Sequence, residues 1–377
     1  MDYLDNTKPV SLYIHIPFCT TKCGYCAFYS LEEKAVREGE KERFLNVLMR
    51  QLDALVEDLK RPFHTIFIGG GNPGIIGYDN LYRILKLASR YGKAKDCTTE
   101  INPETLNENI APLFEYLTRI SVGIQSMKDE SLITLGRNAK KETNIKALNL
   151  LSKFKNEYGI SFNADIMTNI PGENIQDALN DIDEVASFNP DHISLYSLTF
   201  EEGTRLIESC VPMDEEEQRK MLISCWDKLE SLGYHQYEIS NFARKGKECL
   251  HNKVYWALGQ YIGLGPTAES SVGYRTIISS REPDSLSDYL VNPSFESVKL
   301  KGYEAEEEYL LTTLRTGTGI DKKEYFSRFC EDFDEKYGTF IQKLDKNLYE
   351  DTDQRFCLTR EGFLLLDNVI LSLAMAI

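Results

Sequence analysis

Residues 19 to 26 read CTTKCGYC, which sets Cys19, Cys23 and Cys26 in a CxxxCxxC spacing on a short loop after an apolar run. Three thiols this close in a chain without paired cysteine spacings point to metal ligation before any other chemistry. A small structural zinc site normally takes four ligands, so a zinc reading needs a remote fourth group such as His15. Three thiolates on an iron–sulfur cube leave one iron with an exchangeable position, and that open iron is the expected reaction centre.

The elements around this loop alternate. SLYIHIP (11–17) reads as a strand ended by Pro17, so the cysteines follow its carboxyl end. Phe44, Leu48, Leu52, Leu55 and Leu59 recur at helical spacing and predict a helix over 39–60. HTIFI (64–68) predicts a second strand that runs into Gly69, Gly70 and Gly71, then Asn72 and Pro73, where the backbone can approach a ligand closely. Further strands are expected at 97–102, 119–126, 160–167 and 192–199, with helices near 79–92, 105–117, up to about 156, and 174–187. Six such β/α units imply an α/β fold with parallel strands and right-handed crossovers, an open, partial, TIM-like (β/α)6 barrel. In barrels the chemistry sits at the carboxyl ends of the strands. Glu100, Gln125, Asp165 and Thr199 stand at or near those ends, with Arg137 a turn or two beyond the fourth. Any one of them could be a solvated or capping residue. Together they supply an arginine for a carboxylate, and acceptors for hydroxyls and an amine.

Three sections are expected: the barrel over 1–200, an α+β extension over 201–300, and a C-terminal section over 301–377. The extension is dense in aromatics between 234 and 265, including Tyr237, Tyr255, Trp256 and Tyr261. This density suits core packing with His251 as a hydrogen-bonded loop histidine, or a surface for a flat aromatic macrocycle with His251 as an axial ligand. The last section predicts helices near 304–314, 321–336 and 360–374 with a small β-wing, a winged-helix-like arrangement. Its 10 basic and 16 acidic side chains favour a protein partner or a cap on the barrel over DNA.

The whole chain carries 43 basic and 59 acidic residues, a net charge of −16, which disfavours nonspecific binding to nucleic acid or anionic lipid. The nine cysteines do not suggest a disulfide framework. MDYLDNTKPV lacks an apolar signal core, and the apolar run after Asp367 is too short to cross a bilayer, so a soluble cytoplasmic protein without stable membrane insertion is expected.

YIHIPFCTTKCGYC, the glycine-rich turn, RISVGIQS with its downstream Gly-Arg, NADIMTNIPGE, HISLYSLTFEEGT, QYEISNFAR and CLHNKVYW resemble, in this order, one family from residue 11 to about 370. It is the oxygen-independent coproporphyrinogen III oxidase group of radical SAM proteins, and within it the heme-chaperone branch. The resemblance implies a 4Fe-4S cluster on Cys19, Cys23 and Cys26, and S-adenosylmethionine contacts from Tyr13, Tyr25, Gly71, Asn72, Glu100, Gln125, Arg137, Asp165 and Thr199. It also implies heme contacts from the HNxxYW element, His251, Asn252, Tyr255 and Trp256. The oxidases of the group carry a further cysteine where Phe28 stands, and a longer segment before the first strand, so heme binding and transfer to acceptor proteins is expected over decarboxylation of a porphyrinogen. Departures from the family pattern fall at Asn72, at Asn138 and Ala139 after Gly136-Arg137, and at Glu269, where relatives often have His.

Overall fold

The computed structural model describes residues 4–374; the first three residues of the N-terminal stretch and the last three of the C-terminal apolar run lie outside it. The centre of the molecule is one twelve-stranded sheet. Its strands are β1 Val10–Ile16, β2 Thr65–Gly70, β3 Asp96–Ile101, β4 Arg119–Gln125, β5 Ser161–Thr168, β6 His192–Ser197, β7 His235–Gln236, β8 Asn241–Ala243, β9 Gln260–Leu264, β10 Glu269–Gly273, β11 Ile277–Arg281 and β12 Glu296–Leu300. The order is β12-β11-β10-β9-β1-β2-β3-β4-β5-β6-β8-β7.

β1 through β6 are the six expected parallel strands, in sequence order. They bury both faces, as parallel strands covered by helices must, and so read as near-continuous apolar runs punctuated by polar residues that face the barrel interior. A seventh parallel strand comes from the section expected as an extension: β9 pairs with β1, Val10 opposite Gln260 and Ile14 opposite Leu264. The other strands of residues 201–300 prolong the same sheet at both edges in antiparallel pairing.

Helices pack outside. In α1, Glu40–Leu59, the buried face is Phe44, Val47, Leu48, Leu52, Leu55 and Val56, the expected apolar stripe. α2 is Tyr78–Ala88, α3 Lys141–Tyr158, and α4 Ile175–Ser187, which starts on a reciprocal capping box of Asn174 and Asp177. The helix expected over 105–117 is a 3-10 segment, Glu108–Glu115, because Pro112 lies inside it and offers no amide hydrogen.

Beyond residue 301, helices Tyr303–Thr313, Lys322–Phe329, Phe333–Ile341, Arg360–Leu364 and Leu366–Ala374 surround a three-stranded sheet of Ile320–Asp321, Arg355–Leu358 and Tyr349–Asp351. The expected 321–336 helix breaks at Cys330, which takes a left-handed backbone with φ of 58°. The core of this unit is aromatic. Tyr325, Phe333, Tyr337 and Phe356 are fully buried, and the buried Glu306 carboxylate accepts from the Tyr325 and Tyr337 hydroxyls while pairing with Lys336 at 2.7 Å. The unit joins the barrel edge through Ile239 N–H donating to Arg315 O, 3.0 Å, and a bridge between Glu238 and Thr316. Among the described residues no helix is long and apolar enough to cross a membrane.

Candidate active site at the cysteine loop

The cysteine loop leaves β1 at Pro17 and is tied down along its length. Phe18–Cys19 pairs with Leu31–Glu32, and Gly24 is clamped from two sides: its N–H donates to Leu135 O at 2.9 Å, and its carbonyl accepts from Leu206 N–H at 2.9 Å. Tyr25 packs on a small apolar cluster of Leu135, Met167, Ile170, Leu198 and Leu206. The loop is therefore braced against segments that follow β4 and β6, across the barrel mouth from its own strand.

All three loop cysteines are free and half-buried. Burial pushes the Cys19 thiol up to about 11, against an opposing hydrogen bond from Ser30, and burial also raises Cys26. A bound metal cation reverses this balance, since coordination deprotonates a thiol outright. Among the described residues no three His, Cys, Asp or Glu side chains converge on one point. His15 is not a free fourth ligand. Its Nδ1 bonds the Tyr13 hydroxyl at 3.0 Å and its Nε2 bonds Tyr29 O at 2.8 Å.

The glycine turn supports the loop from behind. Gly71 N–H donates to Ile16 O at 2.8 Å and Asn72 N–H to Phe18 O at 2.7 Å. A Cβ on Gly71 would stand 2.4 Å from Phe18 O, so only glycine fits there. Asn72 Oδ1 accepts from Gly74 N–H, Asn102 N–H and the Thr105 hydroxyl, while its buried Nδ2 has no partner. Arg137 reaches back from the segment after β4. Its Nη1 lies 3.5 Å from Cys23 Sγ, its Nη2 donates to Gly123 O at 2.6 Å, and its Nε is buried without a partner. Gln125, also buried, ends β4 with a left-handed φ of 67°. The unpartnered N–H groups of Asn72 and Arg137 suit a ligand with oxygen acceptors, which fits S-adenosylmethionine chemistry beside the thiols.

Glu100 and Asp165 face the barrel interior. Glu100 Oε2 accepts from Gly70 N–H at 3.1 Å, and burial, then the proximity of Asp165, pushes its carboxyl up to about 8. Asp165 is raised by burial too, and accepts from Asn163 Nδ2 at 2.7 Å. Thr199 is exposed at the rim with its hydroxyl on Glu201. Tyr13, two residues before His15 on the same face of β1, bonds that histidine as the strand alternation requires.

The HNxxYW element is the seven-residue helix Leu250–Trp256, which packs on β2 and β9. His251 is buried, with Nδ1 on Thr65 Oγ1 at 2.6 Å and Nε2 on the Tyr255 hydroxyl at 2.8 Å. Thr65 donates its own hydrogen to Ser11 Oγ, so it accepts from His251 Nδ1–H, and Nε2 accepts from Tyr255. Both nitrogens are occupied, and burial lowers the imidazole to about 3. Iron ligation by His251 would require these bonds to break. Asn252 faces the barrel interior. Tyr255 and Trp256 instead line an open cavity of about 960 Å³ beside the cysteine loop, with Tyr13, Phe28, Tyr29 and Tyr261 around it. Glu269 and Glu308 face the same space, and burial raises the Glu308 carboxyl, with Glu269 adding to it. Glu308 and the lumen residues Arg119, Asn163 and His192 escape a reading of strand ends. The signal that marks the last three is a polar residue at alternate positions of otherwise apolar strands.

Comparison with known proteins fits this geometry. The radical SAM superfamily profile matches residues 13–185, and the HemN C-terminal domain profile matches residues 303–365. Fold and cysteine loop thus define a radical SAM protein. The chain is 32% identical to the heme chaperone HemW of Buchnera aphidicola subsp. Schizaphis graminum, covering 85% of this chain and 86% of that one. It is 35% identical to HemW of Escherichia coli over 71% of each chain. A solved structure of the Escherichia coli coproporphyrinogen III oxidase HemN shares the fold, with a TM-score of 0.81 at 18% identity, covering 98% of this chain and 91% of that one. The chain belongs to the HemW-type heme-chaperone branch of the coproporphyrinogen-oxidase-like radical SAM family.

Proposed function

We propose that this chain is a heme chaperone: it takes heme into the cavity between the cysteine loop and the Leu250–Trp256 helix and passes it to acceptor proteins. The observation that carries this reading is the cavity itself, about 960 Å³, open to solvent and walled by Tyr13, Phe28, Tyr29, Tyr255, Trp256 and Tyr261. Its size is at the upper end for a small-molecule site, and flat aromatic walls favour a flat apolar guest. Phe28 is 70% exposed at the cavity edge, available to cover a macrocycle. Tyr255 and Trp256 are the proposed heme contacts, with His251 and Asn252 holding their helix from behind.

In this proposal Cys19, Cys23 and Cys26 hold a 4Fe-4S cluster, and Arg137, Glu100, Asp165, Gln125, Gly71, Asn72, Tyr13, Tyr25 and Thr199 surround S-adenosylmethionine. The cluster, when bound with S-adenosylmethionine, supplies one-electron chemistry at the barrel mouth. The residues themselves bind and orient. Arg137 offers cationic N–H groups beside Cys23, and a half-buried Glu100 held up to about 8 can donate as well as accept a hydrogen bond near neutral pH.

The alternative is oxidative decarboxylation of coproporphyrinogen III. Lys22 and Arg281 on the same cavity would suit propionate side chains, whether of heme or of a porphyrinogen. One preparation separates the two. Anaerobically reconstituted protein is titrated with hemin, and in parallel incubated with coproporphyrinogen, reductant and S-adenosylmethionine. Stoichiometric heme uptake, weakened at least tenfold by Trp256→Ala, with no protoporphyrinogen formed, supports the chaperone. Product formation without heme uptake overturns it.

A further inference from the structure

Below the barrel mouth lies a smaller space of about 120 Å³, lined by the interior faces of β2 through β6 and by Cys249 and Asn252. It has room for about four waters, taking ~30 Å³ for each, far too little for heme or S-adenosylmethionine. Most polar groups around it are matched to each other. Asn163 Nδ2 donates to Ser121 Oγ at 2.8 Å and to Asp165 at 2.7 Å, and its Oδ1 accepts from His192 Nδ1 at 2.7 Å. His192 Nε2 then bonds the Tyr237 hydroxyl at 2.8 Å.

Arg119 is the exception. It is 5% exposed, and its Nη2 donates to the carbonyls of Lys247 and Glu248 at 2.9 and 3.2 Å. Its Nε and Nη1 are buried without partners, as is the hydroxyl of Thr98 on the neighbouring strand, itself 1% exposed. Asp165 and Glu100, the carboxylates on the same cavity, make their bonds at its upper end, and among the described residues no acidic group pairs with Arg119. A guanidinium is always charged, and a buried charge is costly unless it is paired. At the Arg119 end the cavity keeps a positive charge and unpaired donors, the complement of a small anion, with the Glu100 and Asp165 carboxyls at the other end.

We propose that Arg119 and Thr98 hold a small monovalent anion, of the chloride or formate class, in the floor of the barrel. The bound anion neutralises Arg119 and joins β3 to β4 beneath the site, independently of whether heme is the cargo above.

The test uses the full-length protein. Crystals soaked in sodium bromide should show an anomalous peak in the cavity against Arg119 Nε and Nη1. Thermal unfolding in sodium bromide, chloride or formate should rise by about 2 °C and saturate, relative to sodium gluconate at equal ionic strength, whose anion is too large to enter. Arg119→Met should abolish the difference between the salts. A cavity with ordinary water density and no bromide signal overturns the proposal, as does an identical response to bromide and gluconate. The soak of the unmutated protein decides the matter even where Arg119→Met does not fold.

Discussion

Arg137 joins two parts of the barrel mouth with one side chain: Nη1 lies 3.5 Å from Cys23 Sγ while Nη2 donates to Gly123 O at 2.6 Å. The cysteine loop and the end of β4 thus share one positive charge, held beside the sulfur of Cys23. Arg137→Met should leave the protein folded but lower the iron retained after reconstitution, and should weaken S-adenosylmethionine binding by at least tenfold. Arg137→Lys should restore charge without the forked geometry and recover only part of the loss. Iron analysis and calorimetric titration with S-adenosylmethionine check both; equal affinity in all three proteins would remove Arg137 from the ligand site.

Two neighbours in the HNxxYW helix should behave differently on mutation. His251→Ala deletes a side chain that bonds Thr65 and Tyr255 in a buried setting, so its first effect should be on stability, a loss of about 2–3 kcal/mol from unsatisfied partners and a cavity. Trp256→Ala opens the wall of the large cavity and should spare stability relative to His251→Ala while weakening hemin binding. Denaturant unfolding beside hemin titration of the two variants separates these effects. Selective loss of heme by His251→Ala at unchanged stability would return the histidine to the role of ligand.

That contrast also marks where sequence reading stopped. The six parallel strands, α1 and the cysteine loop at the end of β1 were legible because each rests on local pattern: apolar runs, an apolar stripe, a CxxxCxxC spacing. The seventh parallel strand was not, since Gln260–Leu264 pairs with Val10–Ile14 across some 250 residues and no local signal encodes a partner so distant. His251 stayed open between a hydrogen-bonded histidine and an axial ligand because a histidine beside aromatics looks the same whether it faces a cavity or a threonine from β2. Only tertiary packing supplies Thr65, and with it the occupied nitrogen. The pattern of β4 marks Arg119 as facing inward but not as unpaired, since its lack of a partner is a property of the assembled barrel.

The glycines provide a test of backbone against side-chain effects. Gly71→Ala would bring a Cβ to 2.4 Å from Phe18 O and 2.9 Å from Ile16 O, both backbone atoms that anchor the cysteine loop. Neither can yield without moving β1, so the variant should lose about 2–4 kcal/mol and most of its reconstituted iron. Gly338→Ala is the control: it lies in helix Phe333–Ile341 with nothing within 4 Å of its added Cβ, and should gain about 0.5–1 kcal/mol from helix propensity. Melting curves and iron content of the pair are the measurement, and a Gly71→Ala protein with ordinary stability and iron would show that the loop is not anchored through this turn.

The buried carboxyl of Glu173 sets a pH dependence that does not involve the site. Glu173 is 7% exposed, accepts from Ile170 N–H at 3.1 Å, and leaves Oε1 without a partner. Burial raises it from an ordinary 4.5 to about 8, and Asp181 nearby, also raised by burial to about 6, adds to the shift. The folded chain therefore holds a proton that the unfolded chain has released above pH 4.5, and stability must fall as pH rises from 4.5 to 8. Glu173→Gln keeps the acceptor for Ile170 and removes the titration. The variant should match the parent near pH 4.5, be more stable by about 1–3 kcal/mol at pH 8, and show a flatter profile between them. Urea unfolding at pH 5, 6.5 and 8 measures this directly; parallel profiles for the two proteins would mean that Glu173 ionises in the folded chain as it does in water.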